Sequence, residues 1–155
     1  MSSGFFSFFY SRIKVRDIVW DVLIPVFLGG VLSLILMIFL PVSQANPFWC
    51  SVICQPVLEE FVFRLIIIGA FSHALLQVQC LRNKKAFVFG GTTLLSSLLF
   101  VGVHHPSTIE MSIFYFVSSF ILSFFYLFPN ESILRPILLH ITWNLVHWLA
   151  ASHFI

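Results

Sequence analysis

The part of the sequence that decides the fold is residues 56–64, which read Pro-Val-Leu-Glu-Glu-Phe-Val-Phe-Arg. Two adjacent carboxylates and a guanidinium lie here in an apolar run, because residues 38–58 carry no charge and the next charged residue is Arg82. A charge at the centre of a bilayer costs about 2.5–3.5 kcal/mol on insertion scales. Three charges in six residues would be hard to tolerate on a lipid-facing helix, so this group is expected to face the inside of a bundle.

Helical spacing separates the two carboxylates from each other. At about 100° per residue, Glu60 and Arg64 lie about 40° apart and can form an i,i+4 ion pair. Glu59 lies about 140° from Arg64 and points elsewhere. The spacing therefore predicts that Arg64 pairs with Glu60, while Glu59 is free to take part in a reaction. Ionisable residues inside membranes are usually functional, which favours this interpretation. A purely structural ion pair is the alternative.

The composition is that of a membrane protein. Of 155 residues, 59% are hydrophobic and 9% are charged, against about 25% charged in a soluble domain. We expect an all-α, polytopic integral membrane helical bundle surrounded by membrane lipid. The net charge of +2 comes without a basic stripe, so no nucleic-acid partner is expected. The three cysteines form neither an even set nor a metal knuckle.

Apolar segments predict about five transmembrane helices, at about 18–40, 48–80, 86–105, 111–128 and 134–152. The apolar run from Val22 to Leu40 is longer than a signal-peptide core of about 7–15 residues, so we expect it to be retained. Gly29 and Gly30 mark a point where a neighbouring helix can approach closely. We divide the chain into residues 1–47, an interfacial N-terminus with the first transmembrane helix, and residues 48–155, the core.

The distribution of Lys and Arg predicts the orientation. Five crossings place seven of these residues on the side of the N-terminus, whereas the opposite loops, at about 41–47 and 106–110, contain none. The positive-inside rule then places the N-terminus in the cytoplasm and the C-terminus on the outer side of the cell membrane. Asp17 and Asp21 are expected to pair with the basic residues near the N-terminus, and His73 is expected to be buried and hydrogen-bonded.

Three polar clusters fall on three different predicted helices. The second helix carries the acidic pair, the third ends with His104, and the fifth carries His140 and Asn144 on one face at i,i+4. Their depths differ, because His104 lies about 27 Å and His140 only about 9 Å from the inner ends of their helices. We therefore expect strong tilt, or a third helix that ends within a water-filled cavity.

These residue types suit the activation of water. Burial moves the pKa values of carboxyl and imidazole groups toward neutrality, so Glu59 could take a proton from a water that His104 orients. His140 and Asn144 can donate to a developing oxyanion, and one such donor is worth about 10²–10³ in rate. Alternatively, Glu59, His104 and His140 supply the two-histidine, one-glutamate ligand set of a hydrolytic Zn²⁺. Both routes end in hydrolysis, and the residues alone leave both open.

The order of the motifs resembles that of a known family. The motifs are Glu59-Glu60-x-x-x-Arg64, Phe100-x-x-x-His104 and His140-x-x-x-Asn144. They resemble the CPBP family of intramembrane proteases, which is related to type II CAAX prenyl endopeptidases and to bacteriocin-immunity proteins. The resemblance covers about residues 48–150.

The resemblance implies an enzyme, a membrane-embedded peptidase that hydrolyses a membrane-associated peptide or protein substrate, with CAAX-type C-terminal processing as one option. It implies that Glu59 and His104 activate the water and that His140 and Asn144 form the oxyanion site. Glu60 and Arg64 would support these residues. The family is named for metalloproteases, although metal-free water activation is also proposed for it. Members with established CAAX activity have additional helices before the core, so a homo-oligomer that completes the substrate groove is left open.

Two other classes of function stay open at this point. A non-catalytic immunity or peptide-binding membrane protein of the same fold would bind its partner without needing Glu59 as a base. A small proton-coupled transporter subunit would use the acidic pair as a relay. The sequence contains no repeated halves, which disfavours the transporter.

Overall fold

A computed structural model describes residues 18–36 and 48–153, and within these ranges the chain forms five helices and no strand. The helices are α1 (Val19–Leu23 and Ile24–Leu36), α2 (Trp49–Cys54, Gln55–Glu60, Phe61–Ala70 and Phe71–Leu75), α3 (Lys85–His104), α4 (Ile109–Leu127) and α5 (Leu134–His153). The prediction of an all-α fold with five helices is confirmed for this part of the chain. The predicted interfacial segment at 1–17 and the connector at 41–47 lie outside the described residues. The division at residue 47 stays a prediction.

Helix α2 is continuous but changes its hydrogen-bonding pattern along its length. The stretches Trp49–Cys54 and Phe61–Ala70 have i→i+5 bonds, and the α-helical stretch Gln55–Glu60 lies between them. Pro56 contributes to the first change because it has no N–H for an i→i−4 bond. Such π-type turns are rare in proteins as a whole, but those that do occur are often found at functional sites. The predicted end of this helix at about residue 80 was too late, since turns begin after Leu75.

Local sequence signals fix the turn between α3 and α4. His105 adopts the left-handed conformation, with φ 44°, and its N–H bonds to the carbonyl of Gly102. The next residue is Pro106, which cannot continue a helix, so α3 ends at His104. Thr108 caps α4 by accepting a hydrogen bond from the N–H of Met111 at 3.3 Å. His104 is thereby held on the final turn of its helix.

The bundle buries many polar side chains beside its apolar core and exposes apolar side chains on its outside. The buried polar residues are Glu60, Arg64, Ser72, Thr92, Thr93, Ser96, Ser97, Ser118, Ser119, Ser123, Arg135 and His140. Large apolar side chains cover the outside, and Phe87, for example, is 72% exposed. Helices α3 and α4 are also long and apolar enough to cross a membrane. This arrangement is expected for a bundle whose surface contacts lipid and whose helices are joined by small polar residues.

Helix α1 packs along α5. A Cβ atom on Gly29 would lie 2.7 Å from the carbonyl oxygen of Leu139, whereas one on Gly30 would meet nothing within 4 Å. The predicted close approach is therefore confirmed at Gly29 and wrong at Gly30. At the start of both helices, Arg135 donates from Nε to Oδ1 of Asp21 at 2.5 Å. Asp21 therefore has a partner on α5 that was not predicted, and the basic N-terminal segment with which Asp17 and Asp21 were expected to pair lies outside the described residues.

Side-chain hydrogen bonds hold α2 against its neighbours. Ser96 of α3 donates to the carbonyl of Phe63 at 2.9 Å, and the hydroxyls of Ser72 and Thr92 lie 2.6 Å apart. His73 contacts both carboxylate oxygens of Glu131, at 3.1 and 2.9 Å. The side chain of His73 is 58% exposed, so the expected hydrogen bond is present but the expected burial was wrong.

Candidate active site

A buried ion pair lies beside the site, one residue from Glu59 on α2. Nε of Arg64 lies 3.1 Å from Oε2 of Glu60, and both side chains are completely buried. The predicted i,i+4 pair is therefore present. The other carboxylate oxygen, Oε1, lies 2.8 Å from Nδ1 of His140 on α5. Glu60 thus joins two helices and is committed to two partners, which agrees with a supporting position.

Arg64 also ties α2 to α4. Its Nη2 donates to the carbonyl and to the hydroxyl of Ser119, at 2.8 and 3.0 Å. Its guanidinium carbon lies 5.1 Å from the centre of the Phe100 ring, a cation–π distance. Ser119 was not predicted from the sequence, because its contact with Arg64 depends on how two distant helices pack.

Glu59 faces a different direction and lies between two imidazoles. Its Oε1 is 3.7 Å from Nε2 of His104, and its Oε2 is 3.8 Å from Nε2 of His140. Gln55, one turn earlier on α2, donates to Oε1 at 2.7 Å. Separations of 3.7 and 3.8 Å are too long for direct hydrogen bonds, so both Nε2 atoms can bind a water in the adjoining cavity.

Each imidazole is oriented by a hydrogen bond at its other nitrogen. Nδ1 of His104 lies 2.8 Å from the carbonyl oxygen of Phe100, which can only accept, so Nδ1 carries the proton. Nδ1 of His140 faces the Glu60 carboxylate in the same way. In both rings it is therefore Nε2 that faces Glu59. Such a bond at the second nitrogen fixes both the tautomer and the ring direction.

Asn144 lines the cavity, and one N–H of its amide makes a hydrogen bond to another helix. Its Nδ2 donates to the carbonyl of Ser51 on α2 at 2.9 Å. In an i→i+5 pattern the donor to this carbonyl would be the nitrogen of Pro56, which has no hydrogen. Asn144 supplies a donor at that point. The amide has a second N–H, which leaves one donor for a substrate.

These side chains surround one cavity of about 200 Å³. The residues that line it are Gln55, Glu59, Phe100, His104, Phe114, Tyr115, Ser118, Leu122, His140, Trp143 and Asn144. Its walls combine aromatic and aliphatic side chains with polar ones, and the acid and the two imidazoles lie together. A cavity in which polar groups converge beside apolar walls is typical of a ligand site.

Comparison with known protein families gives an independent result. A family model described as Type II CAAX prenyl endopeptidase Rce1-like matches residues 34–146. The chain belongs to this Rce1-like family. All three motifs lie inside the matched range, and the predicted relation to CPBP proteases is confirmed. The family is one of membrane-embedded proteases, which supports a peptidase of the CAAX-processing kind. No curated protein and no solved structure matches the chain.

The depth difference between the two histidines of this Rce1-like chain is resolved by an offset between helices. The Ser72–Thr92 contact and the neighbouring His73–Glu131 pair place the turn before α5 near the level of Thr92. From Thr92 to His104, α3 rises about 18 Å. From Glu131 to His140 the chain covers a similar distance, through three non-helical residues and the first six residues of α5. In addition, α3 ends at the cavity, which is one of the two arrangements that we expected from the sequence; the other was strong helix tilt.

The fit of a zinc ion can be tested on the same geometry. Bonds of about 2.0–2.2 Å in a tetrahedral site place neighbouring ligand atoms roughly 3.3–3.5 Å apart. The two imidazole–carboxylate separations, 3.7 and 3.8 Å, are longer. Among residues 18–36 and 48–153, no group of three or more His, Cys, Asp or Glu side chains is arranged to hold a metal ion. Glu59, His104 and His140 as placed do not fit zinc, and Zn²⁺ stays a prediction.

Gln55 and Tyr115 are among the lining residues of the Rce1-like site that were not predicted from the sequence. Gln55 lies at i−4 from Glu59, so helical spacing alone could have placed it on the same face. Tyr115 lies on α4 and packs on His104, with ring centroids 4.4 Å apart. No local pattern connects Tyr115 to His104, because their contact depends on the packing of α3 against α4.

Proposed function

We propose that the chain is an intramembrane endopeptidase that hydrolyses a peptide bond of a membrane-associated substrate through a water activated by Glu59. Processing of a CAAX-type C-terminus is the substrate class that the family favours. His104 orients the water together with Glu59, and His140 and Asn144 stabilise the oxyanion. Glu60 and Arg64 hold these residues in place.

One observation carries this proposal. The Glu59 carboxylate lies between two imidazole Nε2 atoms, at 3.7 and 3.8 Å, at the edge of the cavity. Its Oε2 atom is buried and has no hydrogen-bond partner among the described residues. A buried carboxylate oxygen without a partner is costly unless a water or a substrate uses it. A water that donates to Oε2 satisfies this oxygen, lies in the cavity beside both imidazoles and is positioned for proton transfer to Glu59.

The chemical step follows from these positions. The water oxygen attacks the scissile carbonyl carbon while its proton passes to Glu59, and the carbonyl oxygen becomes an oxyanion. Asn144 donates its second N–H to that oxygen. His140 donates from Nε2 when both ring nitrogens carry protons, while Nδ1 stays on Glu60. On collapse the C–N bond breaks, and Glu59 returns the proton to the departing amine, which gives a new carboxyl end and a free amine.

The proposal includes the position of the chain in the membrane. Five crossings with a cytoplasmic N-terminus place seven Lys and Arg residues on the inner side. The contact between Asp21 and Arg135 supports this arrangement, because it places the beginnings of α1 and α5 at the same end of the bundle. A second copy that completes the substrate groove stays a prediction.

The test is cleavage by purified protein in lipid nanodiscs, with a fluorescence-quenched prenylated CAAX peptide and its non-prenylated counterpart as probes. The Glu59→Gln variant should lose about 10²–10⁴-fold in rate while staying folded. Glu131→Gln is the matched control, because Glu131 pairs with His73, two helical turns or more from the cavity, and should retain the rate.

Full activity of Glu59→Gln would reject Glu59 as the base. If the wild-type protein cleaves neither peptide but binds one of them, with unchanged affinity in Glu59→Gln, the non-catalytic binding function replaces the peptidase.

A further inference from the structure

The imidazole of His104 packs against two aromatic rings from different helices. Its imidazole centroid lies 4.3 Å from that of Phe100, with an angle of 31° between the planes. The Tyr115 ring lies 4.4 Å from it, at 33°. Phe100 and Tyr115 are themselves 6.4 Å apart. These distances and angles lie in the range of aromatic packing, so the imidazole contacts ring surfaces from two helices.

The two aromatic contacts restrain the imidazole of His104 in different ways. Phe100 lies one turn before His104 on α3, and its carbonyl accepts the hydrogen bond from Nδ1. Both of these restraints come from the helix that carries His104, and they move with its final turn. Tyr115 comes from α4 and fixes the ring relative to the rest of the bundle. Without it, the imidazole on the last residue of α3 has space to turn into the cavity.

We propose that Tyr115 is a positioning residue, whose ring packs on His104 and keeps Nε2 directed at Glu59. Nε2 lies 3.7 Å from Oε1 of the Glu59 carboxylate, and a rotation of the ring would take Nε2 away from the water that this carboxylate holds. This inference rests on the proposed function, since His104 orients the water there. The aromatic ring is the required part of Tyr115, and its hydroxyl group is dispensable.

Kinetic measurements separate the ring from the hydroxyl. Tyr115→Phe should keep kcat within about twofold of wild type, whereas Tyr115→Leu should lower kcat about tenfold to a hundredfold with little change in KM, because misplacement of one catalytic group acts on the chemical step. Phe120→Leu is the matched control. It makes the same aromatic-to-leucine change on α4 at a side chain that is 52% exposed, and kcat should not change.

A spectroscopic measurement tests the contact without relying on turnover. In protein with isotope-labelled histidine, the ring protons of His104, assigned with His104→Gln, should shift downfield in Tyr115→Leu, because the ring current of Tyr115 is lost. Tyr115→Phe should leave them in place.

The outcomes can be told apart. An equal loss of kcat in Tyr115→Phe and Tyr115→Leu would overturn the role of the ring, and so would a wild-type kcat or unmoved His104 signals in Tyr115→Leu. If the wild-type protein cleaves no peptide while the His104 signals still shift, the peptidase proposal fails but the ring contact stands.

Discussion

Gln55 donates a hydrogen bond from Nε2 to Oε1 of Glu59 at 2.7 Å, and this bond makes the two oxygens of the carboxylate unequal. Oε1 has an amide partner and faces His104. Oε2 is buried, lies 3.8 Å from Nε2 of His140, and has no hydrogen-bond partner in the described part of the chain. Oε2 is therefore the oxygen with free capacity to accept a proton from water.

Loss of the Gln55 amide should slow cleavage. Gln55→Met keeps the length of the side chain but removes the donor, and a hydrogen bond to a charged group is worth about 1.5–3 kcal/mol. The Glu59 carboxylate then loses the partner that holds its position between the two imidazoles, so kcat should fall by about tenfold. Gln77→Met, an exposed change in the turn after α2, should leave the rate unchanged. A wild-type rate in Gln55→Met would contradict this role.

The buried pair of Glu60 and Arg64 should be strongly coupled in stability. Arg64→Met leaves a fully buried carboxylate without its cation, and breaking such a pair costs about 3–5 kcal/mol of unfolding free energy. Glu60→Gln leaves the guanidinium without its carboxylate, so it should also destabilise the protein. The double variant should be less destabilised than the sum of the two single changes, which unfolding in detergent measures. Strictly additive effects would show that the pair contributes no coupling.

The sequence predicted the parts of the fold that depend on local patterns. The number and order of the helices follow from apolar runs, and the Glu60–Arg64 pair follows from i,i+4 spacing on one helix. The partner of Asp21 could not be found in this way, because Arg135 lies 114 residues later. The end of α2 at Leu75 was also missed, since the residues up to about 80 are compatible with both helix and turn.

The site shows the same division between local and long-range information. The order of the motifs predicted which residues to bring together, and Glu59, His104, His140 and Asn144 all line the cavity. The direction of each imidazole was not predictable, because it depends on acceptors at Nδ1 that only the folded chain supplies. For His104 the acceptor is the backbone carbonyl of Phe100, one turn earlier on α3.

Asn144 should contribute to both stability and catalysis. Asn144→Ala removes the donor to the Ser51 carbonyl, and loss of one buried hydrogen-bond partner costs about 1–3 kcal/mol. The same change removes the second N–H that we assign to the oxyanion, so kcat should also fall. Asn83→Ala, at an exposed position before α3, should change neither quantity. A lower kcat at unchanged stability would show that the Ser51 contact does not hold α5 against α2.

Metal removal should leave cleavage intact, since the acid and the two imidazoles do not fit a zinc ion as placed. Extended incubation with 1,10-phenanthroline, followed by removal of the chelator, should retain the rate, and added Zn²⁺ should not increase it. A loss that Zn²⁺ restores would mean that Glu59, His104 and His140 close around an ion during turnover, and the zinc alternative would replace direct activation by the carboxylate.

Gly29 and Gly30 offer a test of how α1 supports the site. A methyl group at Gly29 would lie 2.7 Å from the carbonyl oxygen of Leu139, so Gly29→Ala must move α1 away from α5 and should destabilise the protein by about 1–3 kcal/mol. Because Leu139 directly precedes His140, the displacement should also lower kcat. Gly30→Ala enters open space and should be neutral, or stabilising by up to about 1 kcal/mol, since alanine favours helix. Equal stability and equal cleavage in the two variants would show that the α1–α5 contact neither constrains the bundle nor positions His140.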